Sequence, residues 1–99
     1  MALGDYMYYT FTLQDGMQGL LRALRDAQIL ITHSAITPPQ AVIHVEADGH
    51  RGEILLTETV ASDHPLARFG RIPALCVTLP PGWTRLESIL PFAFLRGGG

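Results

Sequence analysis

The sequence is short of charge and of cysteine and has no long apolar run, and each shortage excludes a class of protein. Asp, Glu, Lys and Arg make up 16% of its 99 residues, against about a quarter in an average soluble domain. Apolar side chains reach 47%, which is enough to build a core and excludes long disorder. We expect one domain over residues 1–96, followed by a flexible glycine tail at 97–99.

The same shortages bear on location and partners. No apolar run reaches the ~18 residues that cross a bilayer, and the first residues lack the basic start and apolar core of a signal peptide. The formal net charge is −2, whereas nucleic-acid binding is typically accompanied by an excess of Lys and Arg. A lone cysteine, Cys76, excludes an internal disulfide and a cysteine-based zinc site. We therefore expect a soluble, cytoplasmic protein that binds neither nucleic acid nor membranes.

Hydrophobic periodicity predicts a strand and then a helix at the start of the chain. Residues 6–13 alternate between two faces, as a half-buried strand does. Asp15 stands three residues before Gln18, the spacing of a capping box, so a helix is predicted over 16–27. The stripe that this helix should lay on a sheet consists of Met17, Leu20, Leu21 and Leu24.

The clearest local pattern is Asp48-Gly49, a dipeptide typical of two-residue hairpin turns because both positions need a positive φ. It joins strands predicted over 41–47 and 50–56. The register that this turn sets pairs Ile43 with Ile54, Ala41 with Leu56, Glu46 with Arg51, and His44 with Glu53. A slip by one residue would destroy the apolar and the charged pairing together, so the pattern predicts a single register.

The remaining segments predict shorter elements. They are a buried strand over 28–33, a helical turn over 64–69, a strand over 74–79, a short helix ending at Pro91, and a final strand over 92–96. The predicted class is α+β, a two-layer fold with a mostly antiparallel sheet of five or six strands and one main helix on one face. One helix about 10 Å across cannot cover a sheet of five or six strands that are spaced ~4.8 Å apart. We expect Tyr8, Val42 and Leu55 on the uncovered face, as an interface.

No spacing in the chain is typical of a catalytic or metal site. The four histidines lack the short spacings that set two ligands on one face. Cys76 lies between two apolar residues, where a cysteine is more often a small buried hydrophobe than a nucleophile. The sequence therefore predicts no catalytic residue, no metal and no cofactor, and it favours a protein that is not an enzyme.

A regulatory domain that binds a small molecule is the alternative to an interaction module. Its pocket would centre on the segment 15–19, between the first strand and the helix. Backbone N–H groups at such a junction can bind an anion. The run from Asp15 through Leu20-Leu21 to Ile29-Leu30-Ile31 resembles the opening of ACT-type regulatory domains. The resemblance implies an amino-acid pocket at a dimer interface, with Asp15, Gly16, Gly19 and His33 at its rim. It covers less than a fifth of the chain, and the Pro-Gly pair expected after the Asp is absent.

The end of the chain offers a third possibility. The run Phe94-Leu95-Arg96-Gly97-Gly98-Gly99 resembles the tail of ubiquitin-like carriers, whose C-terminal diglycine enters an activating enzyme and is adenylated. The favoured hypothesis is nevertheless a non-catalytic interaction or assembly module that acts through a sheet face or edge. Its expected partner is a second copy, in a homodimer, or a larger protein.

Overall fold

The fold is a five-stranded antiparallel sheet with two helices on one face, which confirms the predicted two-layer α+β class. The computed structural model describes residues 5–61 and 65–94, apart from the side chain of Asp5. The elements are β1 (Asp5–Tyr9), α1 (Leu13–Asp26), β2 (Leu30–Thr37), β3 (Gln40–Ala47), β4 (His50–Ala61), a 3₁₀ turn (Ala67–Phe69), β5 (Ile72–Thr78) and α2 (Thr84–Ala93). The strand order is β1-β5-β4-β3-β2. The predicted glycine tail and His64 lie outside the described residues.

The hairpin of β3 and β4 has the predicted register. Ile43 pairs with Ile54 and Glu46 with Arg51, and both isoleucine side chains are fully buried. Asp48 and Gly49 in the turn have φ values of 54° and 78°, as a type I′ turn requires. The turn therefore fixes which side chains of the two central strands face the core and which face away.

Replacing Gly49 with Val should destabilise the protein by about 1–2 kcal/mol, because a β-branched residue resists the left-handed region. Apart from its two chain neighbours, no atom of the described residues lies within 4 Å of a Cβ at this position, so the expected loss comes from backbone conformation. Urea unfolding measures it. Asp48→Asn is the matched control, since Asn tolerates a positive φ. Equal stability of Gly49→Val and the parent would contradict the assigned turn.

Helix α1 begins three residues earlier than predicted, because Thr12 and not Asp15 caps it. The Thr12 hydroxyl accepts a hydrogen bond from the Asp15 N–H at 3.1 Å. The Leu13 N–H donates to a carboxylate oxygen of Glu58 on β4 at 2.6 Å, and together these acceptors satisfy two of the open N–H groups of the first turn. The predicted apolar stripe does face the sheet: Met17, Leu20 and Leu24 are buried, and Leu21 is partly buried.

The predicted end of α2 at Pro91 and the predicted strand over 92–96 are wrong. The helix continues through Pro91 to Ala93, and the Phe94 N–H donates to the Leu90 carbonyl at 3.1 Å. Pro91 lies on the exposed side. Phe94 is only 6% exposed, and burying its ring offsets the backbone hydrogen bond that a proline removes. Residues 95 and 96 lie outside the described part of the chain.

Two expectations about the sheet are also wrong. The apolar run after α1 is not a buried strand: it forms β2 at the edge of the sheet, where most of its residues are exposed. Tyr8 does not face away from the helices. It pairs with the buried Leu75, and its ring stacks on Phe94 with centroids 4.0 Å apart. This burial raises the pKa of Tyr8, and the neighbours that face outward are Met7 and Tyr9.

Candidate functional site

The sheet surface opposite the helices is apolar at its centre. Strand pairing aligns Ala35, Val42, Leu55 and Thr78 in one row across four strands, and each of these residues is partly exposed. A second row lies beside it, formed by Met7, Cys76 and Thr57. These seven residues are called the open face below. Val42 and Leu55 thus lie where the hairpin register predicted, whereas Tyr8 lies on the other side of the sheet.

Charged and polar side chains border the open face at the hairpin end. His33 and His44 pair across β2 and β3 with ring centroids 5.5 Å apart, and His44 Nε2 lies 3.6 Å from a carboxylate oxygen of Glu53. Beyond this row, Arg51 Nε donates to Glu46 Oε1 at 2.9 Å. An apolar centre with a polar rim carrying both signs of charge is the usual anatomy of a protein interface.

The residues predicted to rim a ligand pocket are not brought together. Asp15 is exposed on the first turn of α1. Gly16 lies beneath Leu75 and Phe94, and Gly19 lies against the Ala93 carbonyl, so both glycines permit close packing. His33 is on the opposite side of the sheet, beside His44.

A cavity of about 480 Å³ lies where the β3–β4 turn meets the connection from β5 to α2. The polar, charged and aromatic residues among those that line it are Asp48, His50, Arg51, Trp83, Thr84 and Arg85. This cavity is called the Trp83 cleft below. Trp83 also stands at the start of α2, where no side-chain cap is present.

The position of Trp83 depends on a glycine in the adjacent strand. A Cβ added at Gly52 would come within 3.0 Å of the indole atoms Cε2 and Nε1 and within 2.8 Å of Pro80. The glycine therefore lets one edge of the indole lie against β4 while the ring remains partly exposed. Sequence reasoning missed this site because its residues come from two distant segments. The available signal was the Gly in mid-strand and the lone Trp after Pro-Pro-Gly.

Neither surface has the composition of a metal centre. Within residues 5–61 and 65–94, no three side chains of His, Cys, Asp and Glu come together as a metal site requires. Cys76 is a free, partly exposed thiol on the open face. No helix in the described part of the chain is long and apolar enough to cross a membrane.

Comparison with known proteins gives no relative from which a function could be transferred. No protein-family model, no curated protein and no solved structure matches the chain. Function is therefore inferred from the geometry of the sheet, its open face and its edge.

Proposed function

We propose that the chain is a non-catalytic interaction module that pairs with a second copy of itself through the open face. The observation that carries the proposal is the row of Val42 and Leu55 on the two central strands, with both helices on the other side of the sheet. Apolar residues on a sheet surface that neither of the described helices covers are typical of an interface. The pairing would set two sheets face to face at a distance of about 10 Å.

The size of the sheet surface that carries the open face supports a specific pair. On that side of the sheet, five strands about 4.8 Å apart and roughly seven residues long present on the order of 500 Å². Two such faces together bury about 1,000 Å², the lower bound of specific protein interfaces. A closed two-fold pair also uses one self-complementary surface twice, which is the commonest arrangement in homo-oligomers.

The charges at the rim support a second copy as the occupant. Arg51 carries positive charge there, and Glu46 and Glu53 carry negative charge. A rim of both signs does not repel its own copy, whereas a rim of one sign would. These exposed pairs contribute little binding energy, so affinity would depend on the apolar centre.

Replacing Leu55 with Asp should dissociate the dimer, since a carboxylate placed in a desolvated surface costs several kcal/mol. Sedimentation velocity from low micromolar concentration upward measures the mass, and circular dichroism checks that the variant is folded. Phe92→Asp is the matched control, because Phe92 is 74% exposed on α2, away from the open face. It should leave the dimer intact.

A second variant separates dissociation from misfolding. Met7 is already 47% exposed at the edge of the open face, so Met7→Glu should weaken association while folding is kept. A strictly monomeric parent of 10.8 kDa over the whole concentration range would reject the proposal. A dimer unaffected by both variants would place the interface on another surface.

A further inference from the structure

We propose that the outer edge of β2 binds an extended peptide of a partner protein, which adds a strand antiparallel to β2 and brings its C-terminal carboxylate to Arg25. The inference is independent of self-association, because it uses the edge of the sheet and not the open face. Among the described strands, β2 is the last in the order β1-β5-β4-β3-β2. Its outer side therefore carries backbone N–H and C=O groups that no described strand pairs.

The residues of β2 whose backbone groups face outward are Ser34 and Ile36. A two-residue hairpin turn is closed by a hydrogen bond between its flanking residues, so Ala47 and every second residue before it bond to β4. The residues between them, Val42 included, bond to β2, where Val42 pairs with Ala35. Because backbone groups alternate between the two edges of a strand, both neighbours of Ala35 direct theirs away from β3.

This stretch of the edge lacks the features that usually block strand addition. Residues 33–37 contain no Lys, Arg, Asp, Glu or Pro, whereas natural edges are commonly protected by charges, prolines or bulges. The irregularity in the β2–β3 register lies earlier, between Ile31 and His33. An added strand can therefore pair regularly with 33–37 and leaves the edge where the bulge begins.

Helix α1 forms a wall beside the edge. A cavity of about 380 Å³ is lined by Met17 and Leu21 of the helix and by Ser34 and Ile36 of the strand. Ile36 is 48% exposed, although it pairs with the buried Ala41 on the helix side of the sheet. Residues directly opposite each other on paired strands have their side chains on the same face. Every second side chain of the peptide would therefore enter this cavity, and an apolar one fits its lining.

Charge determines the direction of the peptide. A second cavity, of about 520 Å³, is lined by Arg25 and Leu30, where α1 ends and β2 begins. Among the described residues that line the two cavities, Arg25 is the one charged side chain. An antiparallel strand reaches it with a carboxylate, which a guanidinium binds, whereas a parallel strand would bring an ammonium group. The β2 strand of a second copy offers no such partner, because Leu30–Thr37 contains no acidic residue.

The probe is a fluorescein-labelled peptide of about seven residues, the length of the edge from Ile31 to Thr37. It has valine at every second position, threonine between the valines, and a free C-terminal carboxylate. Fluorescence polarisation with the full chain should show saturable binding. N-methylation of the valines, whose backbone groups would face β2, should weaken binding at least about tenfold. N-methylation of the threonines, whose groups would face away, is the matched control and should leave binding unchanged.

Variants test the part played by Arg25. Arg25→Gln should weaken the binding by about tenfold, and it should fold normally because Arg25 is exposed. Arg22→Gln removes the same charge from an exposed position of α1 that lines neither cavity, so it should bind as the parent does. A peptide with a C-terminal amide should bind the parent and Arg25→Gln equally, because it lacks the carboxylate.

Four outcomes would overturn the proposal. They are no saturable binding of the unmodified peptide, unchanged binding after methylation of the valines, equal losses from the two methylated peptides, and equal losses in Arg25→Gln and Arg22→Gln. Leu55→Asp, which tests the open face, should bind the peptide as the parent does, so a failure of self-association and a failure of peptide binding are distinguishable.

Discussion

Replacing Phe94 with Ala should lower the free energy of unfolding by about 3–5 kcal/mol, the range for truncating a buried Phe. The ring is only 6% exposed. It stacks on Tyr8 with centroids 4.0 Å apart and meets the edge of Phe11 at 5.3 Å. The substitution would therefore leave a cavity between β1 and the end of α2, and it would remove two aromatic contacts as well as the buried area.

Urea unfolding followed by circular dichroism measures this loss, with Phe92→Ala as the control. Phe92 is two residues earlier on the same helix and 74% exposed, so its truncation should change stability by no more than about 0.5 kcal/mol. Similar losses from both substitutions would mean that α2 does not end with Phe94 against Tyr8.

The contact between Tyr8 and Phe94 shows where sequence reasoning reaches its limit in this fold. Alternation in 6–13 predicts a strand, but alternation alone does not say which of its two faces is covered. That choice depends on Phe94, at the other end of the chain, which a local pattern presents as part of a strand after Pro91. Contacts between distant segments therefore determine which face of β1 is buried and where α2 ends.

The hairpin was predictable for the opposite reason. Asp48-Gly49 fixes the turn through backbone conformation, and the turn fixes the register by direct continuation along both strands. The same register places Val42 and Leu55 on the open face, although their part in an interface stays a prediction. The conformation of this two-residue turn therefore determines the register of the two central strands.

The Trp83 cleft has no comparable local signal. Arg51 and Gly52 belong to β4, whereas Trp83 and Arg85 follow β5. Nothing in the spacing of these residues indicates that they meet, because the β5–α2 connection must first cross the hairpin end. Conversely, the segment around Gly16 and Gly19 resembles a ligand-binding turn in sequence, yet the structure explains both glycines by packing.

Replacing Gly19 with Ala tests that packing explanation, and we expect a net destabilisation of about 2 kcal/mol. A Cβ at this position would lie 2.1 Å from the carbonyl oxygen of Ala93. This oxygen belongs to the backbone of α2 and cannot rotate away, so α2 must shift and its buried residues, among them Leu90, lose contacts. The higher helix propensity of Ala offsets only about 1 kcal/mol of the loss.

Gln18→Ala is the control for this last effect, because Gln18 is the exposed neighbour of Gly19 on α1 and should change stability by no more than about 0.5 kcal/mol. Urea unfolding of both variants gives the comparison. If Gly19→Ala stabilised the protein by the roughly 1 kcal/mol that propensity alone provides, α2 could not cross α1 at Ala93.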